Sequence, residues 1–125
     1  MSTLIIESQP AERFLNSLCN LDANEVTDQL SEDARLSVGK SLIAAGKPKL
    51  LKALKRGFAA LHSLRCAPAM IWAQGNVSVV EADVSCERLD GSWSTFPVTL
   101  ILCFRDDLIS DVRLFTYEPA LVSFL

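Results

Sequence analysis

Residues 65–117 read RCAPAMIWAQGNVSVVEADVSCERLDGSWSTFPVTLILCFRDDLISDVRLFTY, and this stretch decides the fold. It consists of four segments rich in strand-forming residues, and the dipeptides Gly75-Asn76 and Asp90-Gly91 between segments are typical of hairpin turns. The stretch therefore predicts four consecutive strands, over residues 65–74, 77–89, 92–104 and 108–117. Because the helical patterns all come before these strands, we expect an α+β domain and not a series of βαβ units.

The residues before this stretch predict three helices. The first begins near Pro10, a residue well suited to the first turn of a helix. Asp22 and Glu25 have the spacing of a capping box, which predicts a second, short helix that ends near Leu30. Pro48 begins the third helix. The segments between them are predicted as a lead-in without regular structure over residues 1–8, a short strand over residues 34–38 and a loop over residues 40–47.

Length and composition limit the class of protein. A chain of 125 residues is expected to form a single domain over residues 1–125. Half of the residues are hydrophobic and the mean hydropathy is +0.26, so we expect a cavity lining, a buried subunit interface, or both. The formal net charge of −3 argues against a nucleic-acid partner. No apolar run approaches the roughly 18 residues of a membrane span, so we expect no membrane partner.

The N-terminal residues and the cysteines indicate the compartment. The first residues contain no basic segment followed by a long apolar core, so the sequence predicts no signal peptide and a cytoplasmic location. No two of the four cysteines have CxxC spacing, and the chain has one histidine. We therefore expect buried, reduced thiols, with no metal and no other cofactor.

Residues 98–104, Val-Thr-Leu-Ile-Leu-Cys-Phe, are apolar on both faces of their predicted strand. A strand of this kind has to be covered on both sides. The helices and the cavity cover one face of the strand. The simplest cover for the other face is a second copy of the chain. The sequence therefore predicts a homodimer.

The order helix, helix, short strand, helix and four-stranded meander resembles the NTF2-like superfamily, and most of all its SnoaL-like and ketosteroid-isomerase-like branches. The resemblance covers nearly the whole chain and rests on Phe14, Asp22 and residues 31–36 near the front and on residues 104–109 near the end. The last turn differs, since it lacks the glycine of the family's usual Asp-Gly-Lys-Ile. The resemblance implies a cone: a strongly curved mixed or antiparallel sheet, three N-terminal helices packed on it, and a deep apolar pocket between them.

The same resemblance implies where an isomerase would carry its catalytic groups. The steroid isomerases of this fold use a tyrosine on the first helix, a proton-transferring carboxylate at the end of the first strand, and an acid on the third long strand. By this resemblance the three positions fall on Phe14, on Val38 or its neighbour, and on Leu100. None of the three side chains donates or accepts a proton, so we expect no steroid-isomerase activity by that route.

Strand alternation predicts which side chains face the pocket. If Leu100 points inward, then Val98 does too, and Asp83 and Asp111 on the neighbouring strands point to the opposite face. A slip of one residue in the register would exchange the faces and bring both aspartates into the pocket. His62, the one histidine, falls near the end of the third predicted helix, a position that the helix dipole favours.

Three functions remain open at this point. The leading prediction is a protein that binds a small, mostly apolar molecule. The residues predicted to line its pocket are Phe14, Val38, Trp72, Val98, Leu100 and Leu114. The second is a cyclase, dehydratase or hydrolase acting on a polycyclic or terpenoid substrate, with His62 and either Asp83 or Asp111 as acid and base. The third is a protein-interaction module that uses the outer sheet face and has a filled cone. A pocket of roughly 300 Å³ or more with convergent polar groups favours the enzyme, and a pocket without such groups favours the binding protein.

Overall fold

The computed structural model describes residues 4–6 and 9–116, which contain seven strands and three helices. In chain order they are β1 (Leu4–Ile6), α1 (Gln9–Cys19), α2 (Ala23–Thr27), β2 (Leu30–Val38), β3 (Ser41–Ala45), α3 (Lys47–Ala59), β4 (Leu61–Gln74), β5 (Val77–Arg88), β6 (Trp93–Arg105) and β7 (Leu108–Thr116). The strands form one sheet in the order β1-β4-β5-β6-β7-β2-β3.

The sheet is mixed. Strands β4 to β7 pair antiparallel with their neighbours and form the meander that the sequence predicts. Strand β2 runs parallel to β7, β1 runs parallel to β4, and β3 pairs antiparallel with β2. All three helices precede the meander, so the prediction of an α+β fold with a mixed sheet is confirmed.

The turns of the meander depend on left-handed backbone conformations. Gly75, with φ 59°, and Gly91, with φ 86°, supply them in the first two turns, where the absence of a Cβ removes the steric cost. The β6–β7 turn instead places Asp106 at φ 53° and Asp107 at φ 65°. Two successive residues with positive φ characterise a type I′ hairpin turn, and aspartate tolerates this conformation better than most residues do.

Helix α2 begins at the cap that the sequence predicts. The Asp22 Oδ1 atom accepts hydrogen bonds from the backbone N–H groups of Asn24, at 3.0 Å, and Glu25, at 3.2 Å. The Glu25 carboxylate does not close the capping box but accepts a hydrogen bond from Asn20 Nδ2 at 3.3 Å. The cap holds α2 in the short connection between α1 and β2, where Val26 is buried in the core.

Two predictions about the first half of the chain are wrong. Residues 4–6, predicted as part of a lead-in, form β1, and residues 41–45, predicted as part of a loop, form β3. Both segments are short apolar runs whose local pattern is uninformative, and each becomes a strand because it pairs with β4 or β2. Strand β2 is also longer than predicted, and α2 ends at Thr27, before the predicted residue 30. Residue 117, the predicted end of the last strand, lies outside the described residues.

The core lies between the helices and one face of the meander, the inner face. Val80 on β5 and Leu102 on β6 are fully buried there. Phe14 on α1 and Leu50 on α3 belong to the same buried cluster, with 2% of their surface exposed. No helix in the described residues is long and apolar enough to cross a membrane.

Candidate functional site

An apolar cavity of about 140 Å³ lies between the three helices and the inner face of the meander. Helices α1 and α3, the start of β4 and the middle of β6 contribute most of its wall. The residues that line it are Phe14, Leu15, Leu18, Val26, Leu30, Leu36, Leu50, Leu54, Gly57, Phe58, Leu61, Leu64, Cys66, Val84, Val98, Leu100, Val112 and Leu114.

The register of the meander determines which side chains reach this cavity. Leu100 on β6 lies opposite Val80 on β5 and Leu114 on β7. Since side chains alternate along a strand, residue 101 and its partners point to the other face. The inward orientation predicted for Val98 and Leu100 is confirmed, as 5% and 6% of their surfaces are exposed and both line the cavity.

Four of the six predicted pocket residues line the cavity, namely Phe14, Val98, Leu100 and Leu114. Their role in ligand binding stays a prediction. Val38 is buried at the end of β2, opposite Leu114, and is not part of the cavity wall.

Trp72 lies on the outer face, opposite Val79, and 44% of its surface is exposed. Trp72 faces outward because β4 contains a bulge between Pro68 and Met70. Cys66 points into the cavity, and in a regular strand residue 72 would share its face. The extra residue of the bulge reverses the alternation, so that Ile71 becomes fully buried and Trp72 is turned outward.

The three candidate acid or base groups lie away from the cavity. His62 is exposed at the start of β4 and not on α3, because the helix ends at Ala59. Asp83 is exposed on the outer face. Asp111 also lies on that face, where its Oδ2 atom accepts a hydrogen bond from Arg113 Nε at 3.2 Å. The structure does not bring these three side chains together.

The cavity wall offers almost no polar chemistry. Among the described residues that line it, Cys66 alone carries a side-chain heteroatom. Burial, and then the neighbouring Cys19 thiol, raise the pKa of Cys66 to about 12. The group is therefore a neutral thiol near pH 7 and not a nucleophilic thiolate. The sequence analysis did not identify Cys66 and Leu64 as wall residues. The two residues are two positions apart on β4, and this spacing predicts that they lie on the same face of the strand.

A second, more polar cleft of about 530 Å³ lies near the β4–β5 and β6–β7 turns and the first turns of α1. Its polar residues are Arg13, Gln29, Ser78 and Asp107. Gln29 Nε2 donates to Ser17 Oγ at 2.9 Å and to the backbone oxygen of Glu25 at 3.1 Å, which ties α1, α2 and the start of β2 together. Gln29 therefore has a structural role at the floor of this cleft.

The outer sheet face is the surface of the meander opposite the cavity, and it carries both apolar and charged groups. Ile101 lies there opposite Val79 and Arg113. Trp72 and Phe115 are 44% and 41% exposed on this face. Large apolar side chains exposed on one face are typical of a surface that another protein covers.

Comparison with known proteins shows the fold. No family model matches the chain, and no curated protein matches it in sequence. Solved structures match it over nearly its full length. An NTF2-like protein of unknown function from Burkholderia pseudomallei is similar with a TM-score of 0.78 and 13% identity, covering 93% of this chain and 94% of that chain.

Two further similar structures have names that describe an activity. An LEH-like epoxide hydrolase from M. tuberculosis has a TM-score of 0.76 and 22% identity, covering 94% of this chain and 86% of that chain. A putative SnoaL-like polyketide cyclase from Jannaschia has a TM-score of 0.77 and 15% identity, covering 98% of this chain and 95% of that chain. Identities this low show a shared fold and leave the activity of this chain open.

Proposed function

Because the chain has the NTF2-like fold and encloses an apolar cavity, we propose that it binds a small apolar molecule between its helices and the inner face of its sheet. The chemistry of the wall carries this proposal. Every described lining residue is apolar except Cys66, whose thiol stays protonated near neutral pH. Such a wall favours a hydrocarbon-like group and penalises a charged or hydrogen-bonding one, which would lose its contacts with water.

The volume of the cavity limits the size of the ligand. Drug-sized molecules bind in pockets of roughly 300–1,000 Å³. The cavity here is about 140 Å³, close to that of an engineered apolar cavity of about 150 Å³ that stays dry and binds benzene. The proposed ligand is therefore a single ring or a short branched hydrocarbon group. A polycyclic substrate requires the helices to move apart.

The enzyme alternative has less support than the binding function. Two structures of similar fold are called an epoxide hydrolase and a putative polyketide cyclase. In this chain, however, His62, Asp83 and Asp111 are not among the residues that line the cavity. An acid or base has to lie within hydrogen-bonding reach of the group it protonates or deprotonates, so these three do not supply such a step in the cavity.

The proposal includes a homodimer in which the outer sheet face is covered by a second copy of the chain. Exposed Trp72 and Phe115 and the apolar side chain of Ile101 support it. The interaction-module alternative predicts that side chains fill the interior of the cone, and the presence of a cavity weighs against it. A cytoplasmic location and the absence of nucleic-acid and membrane partners remain predictions from composition.

Ligand binding is tested with benzene and toluene as probes and thermal unfolding as the readout. A ligand that binds only the folded state raises the melting temperature, so we expect both probes to raise it and charged benzoate to leave it unchanged. Leu100→Phe fills the cavity and should abolish the shift. Leu89→Phe, at a turn position that is 68% exposed, is the matched control and should retain it. Equal shifts in the two variants, or none in the wild type, would refute the proposal.

A further inference from the structure

The polar cleft of about 530 Å³ near the β4–β5 and β6–β7 turns differs in its chemistry from the apolar cavity. Two groups of opposite charge line it, the guanidinium of Arg13 on α1 and the carboxylate of Asp107 in the β6–β7 turn. Both residues are exposed, and neither forms an ion pair with the other or with another described residue. The cleft therefore presents a cation and an anion that are both available to a ligand.

Two buried polar residues also line the cleft. Ser78 on β5 and Gln29, the residue before β2, have 5% and 8% of their surfaces exposed. Gln29 uses both side-chain N–H groups, on Ser17 Oγ and on the Glu25 backbone oxygen, so its Oε1 atom remains as an acceptor. Among the described residues, nothing donates to Gln29 Oε1, and the Ser78 hydroxyl has no hydrogen-bond partner. Polar groups in such buried positions need a partner from water or from a ligand.

The walls of the cleft are held in place by hydrogen bonds between the elements that form them. The Phe104 N–H donates to the backbone oxygen of Asn76 at 2.8 Å, and Asn76 Nδ2 donates to the Phe104 oxygen at 3.3 Å. The Ile109 N–H donates to the backbone oxygen of Gln29 at 2.9 Å, which places Gln29 beside the strand that begins just after Asp107. Because these bonds fix the walls without a ligand, little ordering is needed when a ligand binds.

We infer that the polar cleft is a binding site for a small zwitterion with an apolar group, the chemical class of apolar amino acids and short apolar peptides. The ammonium group of such a ligand donates to the Asp107 carboxylate and to Gln29 Oε1. Its carboxylate accepts hydrogen bonds from the Arg13 guanidinium and from the Ser78 hydroxyl. Hydrogen bonds between charged partners are the stronger ones in proteins, and the planar fork of a guanidinium matches a carboxylate.

Other classes of ligand satisfy fewer of these groups. An anion meets the Asp107 carboxylate and a cation meets the Arg13 guanidinium, so that either leaves one charge of the cleft unmatched. An uncharged apolar molecule removes water from the polar groups and gives them no partner in return. The apolar lining residues Phe104, Leu108 and Ile109 offer a surface for the apolar group of the zwitterion.

The polar cleft and the apolar cavity are separate sites. No described residue lines both of them. The inference therefore goes beyond the proposed function and does not depend on it. Leu100→Phe, which fills the apolar cavity, should leave binding in the polar cleft unchanged.

The test is isothermal titration calorimetry of the full-length chain with leucine and with leucyl-leucine, two zwitterions that differ in length. We expect at least one of them to bind, and the tighter of the two gives the length of the ligand. Leucinamide lacks the carboxylate of leucine, and isocaproate lacks its ammonium group. Each should bind at least about tenfold more weakly than leucine, because one set of charged hydrogen bonds is lost.

Variants of the two charged residues show whether the ligand lies in the cleft. Arg13→Gln and Asp107→Asn each remove one charge and should weaken binding by about tenfold. Asparagine also tolerates the left-handed backbone at residue 107, so this variant is expected to fold. Arg56→Gln on α3 and Asp106→Asn in the same turn are the matched controls, since both residues are exposed and neither lines the cleft. Melting curves show that each variant is folded.

Each outcome supports or overturns the inference. A folded wild type that binds neither zwitterion overturns it, as does equal affinity for leucinamide or isocaproate. Wild-type affinity in Arg13→Gln or in Asp107→Asn overturns the site, and so does binding that Leu100→Phe abolishes. A failure of benzene to bind concerns the apolar cavity alone and refutes only the proposed function.

Discussion

Leu100 on β6 lies directly opposite Leu114 on β7, and both side chains line the apolar cavity. One residue further along the same strands, Ile101 lies opposite Arg113 on the outer sheet face. A single step along β6 therefore separates the ligand-facing surface from the surface proposed for dimerisation. This alternation allows the two surfaces to be tested separately.

Leu100→Ala is expected to destabilise the protein less than Leu102→Ala. Leu102 points to the same face but is fully buried and is not part of the cavity wall, so its removal leaves a new void. Truncation of a fully packed leucine costs about 2.7–5.0 kcal/mol, whereas Leu100 already borders empty space. Urea unfolding of the two variants measures the difference. Equal losses would mean that the wall at Leu100 is packed in solution.

Ile101→Asp is expected to disrupt the homodimer and to leave a folded monomer. A carboxylate in a covered apolar face loses its hydration, while on an exposed monomer surface it is tolerated. Light scattering at micromolar concentration measures the mass, and a melting curve shows the fold. Leu89→Asp, in the exposed β5–β6 turn, should remain dimeric. A wild-type chain that is monomeric at every concentration would rule out the dimer.

The protein is expected to lack ketosteroid isomerase activity. The positions corresponding to the tyrosine and to the acid of the isomerases are occupied by Phe14 and Leu100, and both side chains lie in the cavity wall without a proton to donate. The absorbance of the conjugated product of a β,γ-unsaturated ketosteroid is the assay. Turnover that disappears in Leu100→Phe would contradict this prediction.

Asp107→Gly is expected to stabilise the protein, by less than the roughly 1–2 kcal/mol that a left-handed conformation costs a residue with a Cβ, because glycine also gives the unfolded chain more freedom. Asp107 has a φ of 65°, a conformation that costs a residue with a Cβ more than it costs glycine. Asp107→Val should destabilise, since a β-branched side chain fits this region least well. Chemical unfolding of both variants gives the sign of each effect. A loss of stability in the glycine variant would show that the Asp107 side chain makes a stabilising contact in the polar cleft.

Alkaline pH is expected to destabilise the wild type more than Cys66→Ala. Burial raises the pKa of Cys66 from its ordinary value of 9.0 to about 12. Between these two values the unfolded chain loses the thiol proton and the folded chain keeps it. The stabilisation is therefore complete below pH 9 and is lost as the pH rises toward 12, by at most about 1.4 kcal/mol for each pH unit. Urea midpoints at pH 8 and pH 10.5 measure the loss, and Cys103→Ala should behave like the wild type.

Much of the fold was readable from local pattern. The dipeptides Gly75-Asn76 and Asp90-Gly91 mark two turns of the meander, and the apolar run at residues 98–104 identifies its central strand. That Val98 and Leu100 share one face also followed from the sequence, while the choice of the inward face was left open between two registers. In each case the signal is local, because turn type depends on adjacent residues and strand alternation has a period of two.

Features that depend on distant partners were decided by the tertiary structure. The bulge after Pro68 turns Trp72 outward, and β1 and β3 become strands only because they pair with edges supplied by β4 and β2. The burial that raises the pKa of Cys66 likewise exists only once the helices and the sheet pack together. The cavity volume is set by how closely three helices approach a curved sheet. The sequence by itself thus determined the three helices and the four strands of the meander. Packing between elements decided the two added strands, the face on which Trp72 lies and the site, because the free energy of packing belongs to contacts that no local pattern encodes.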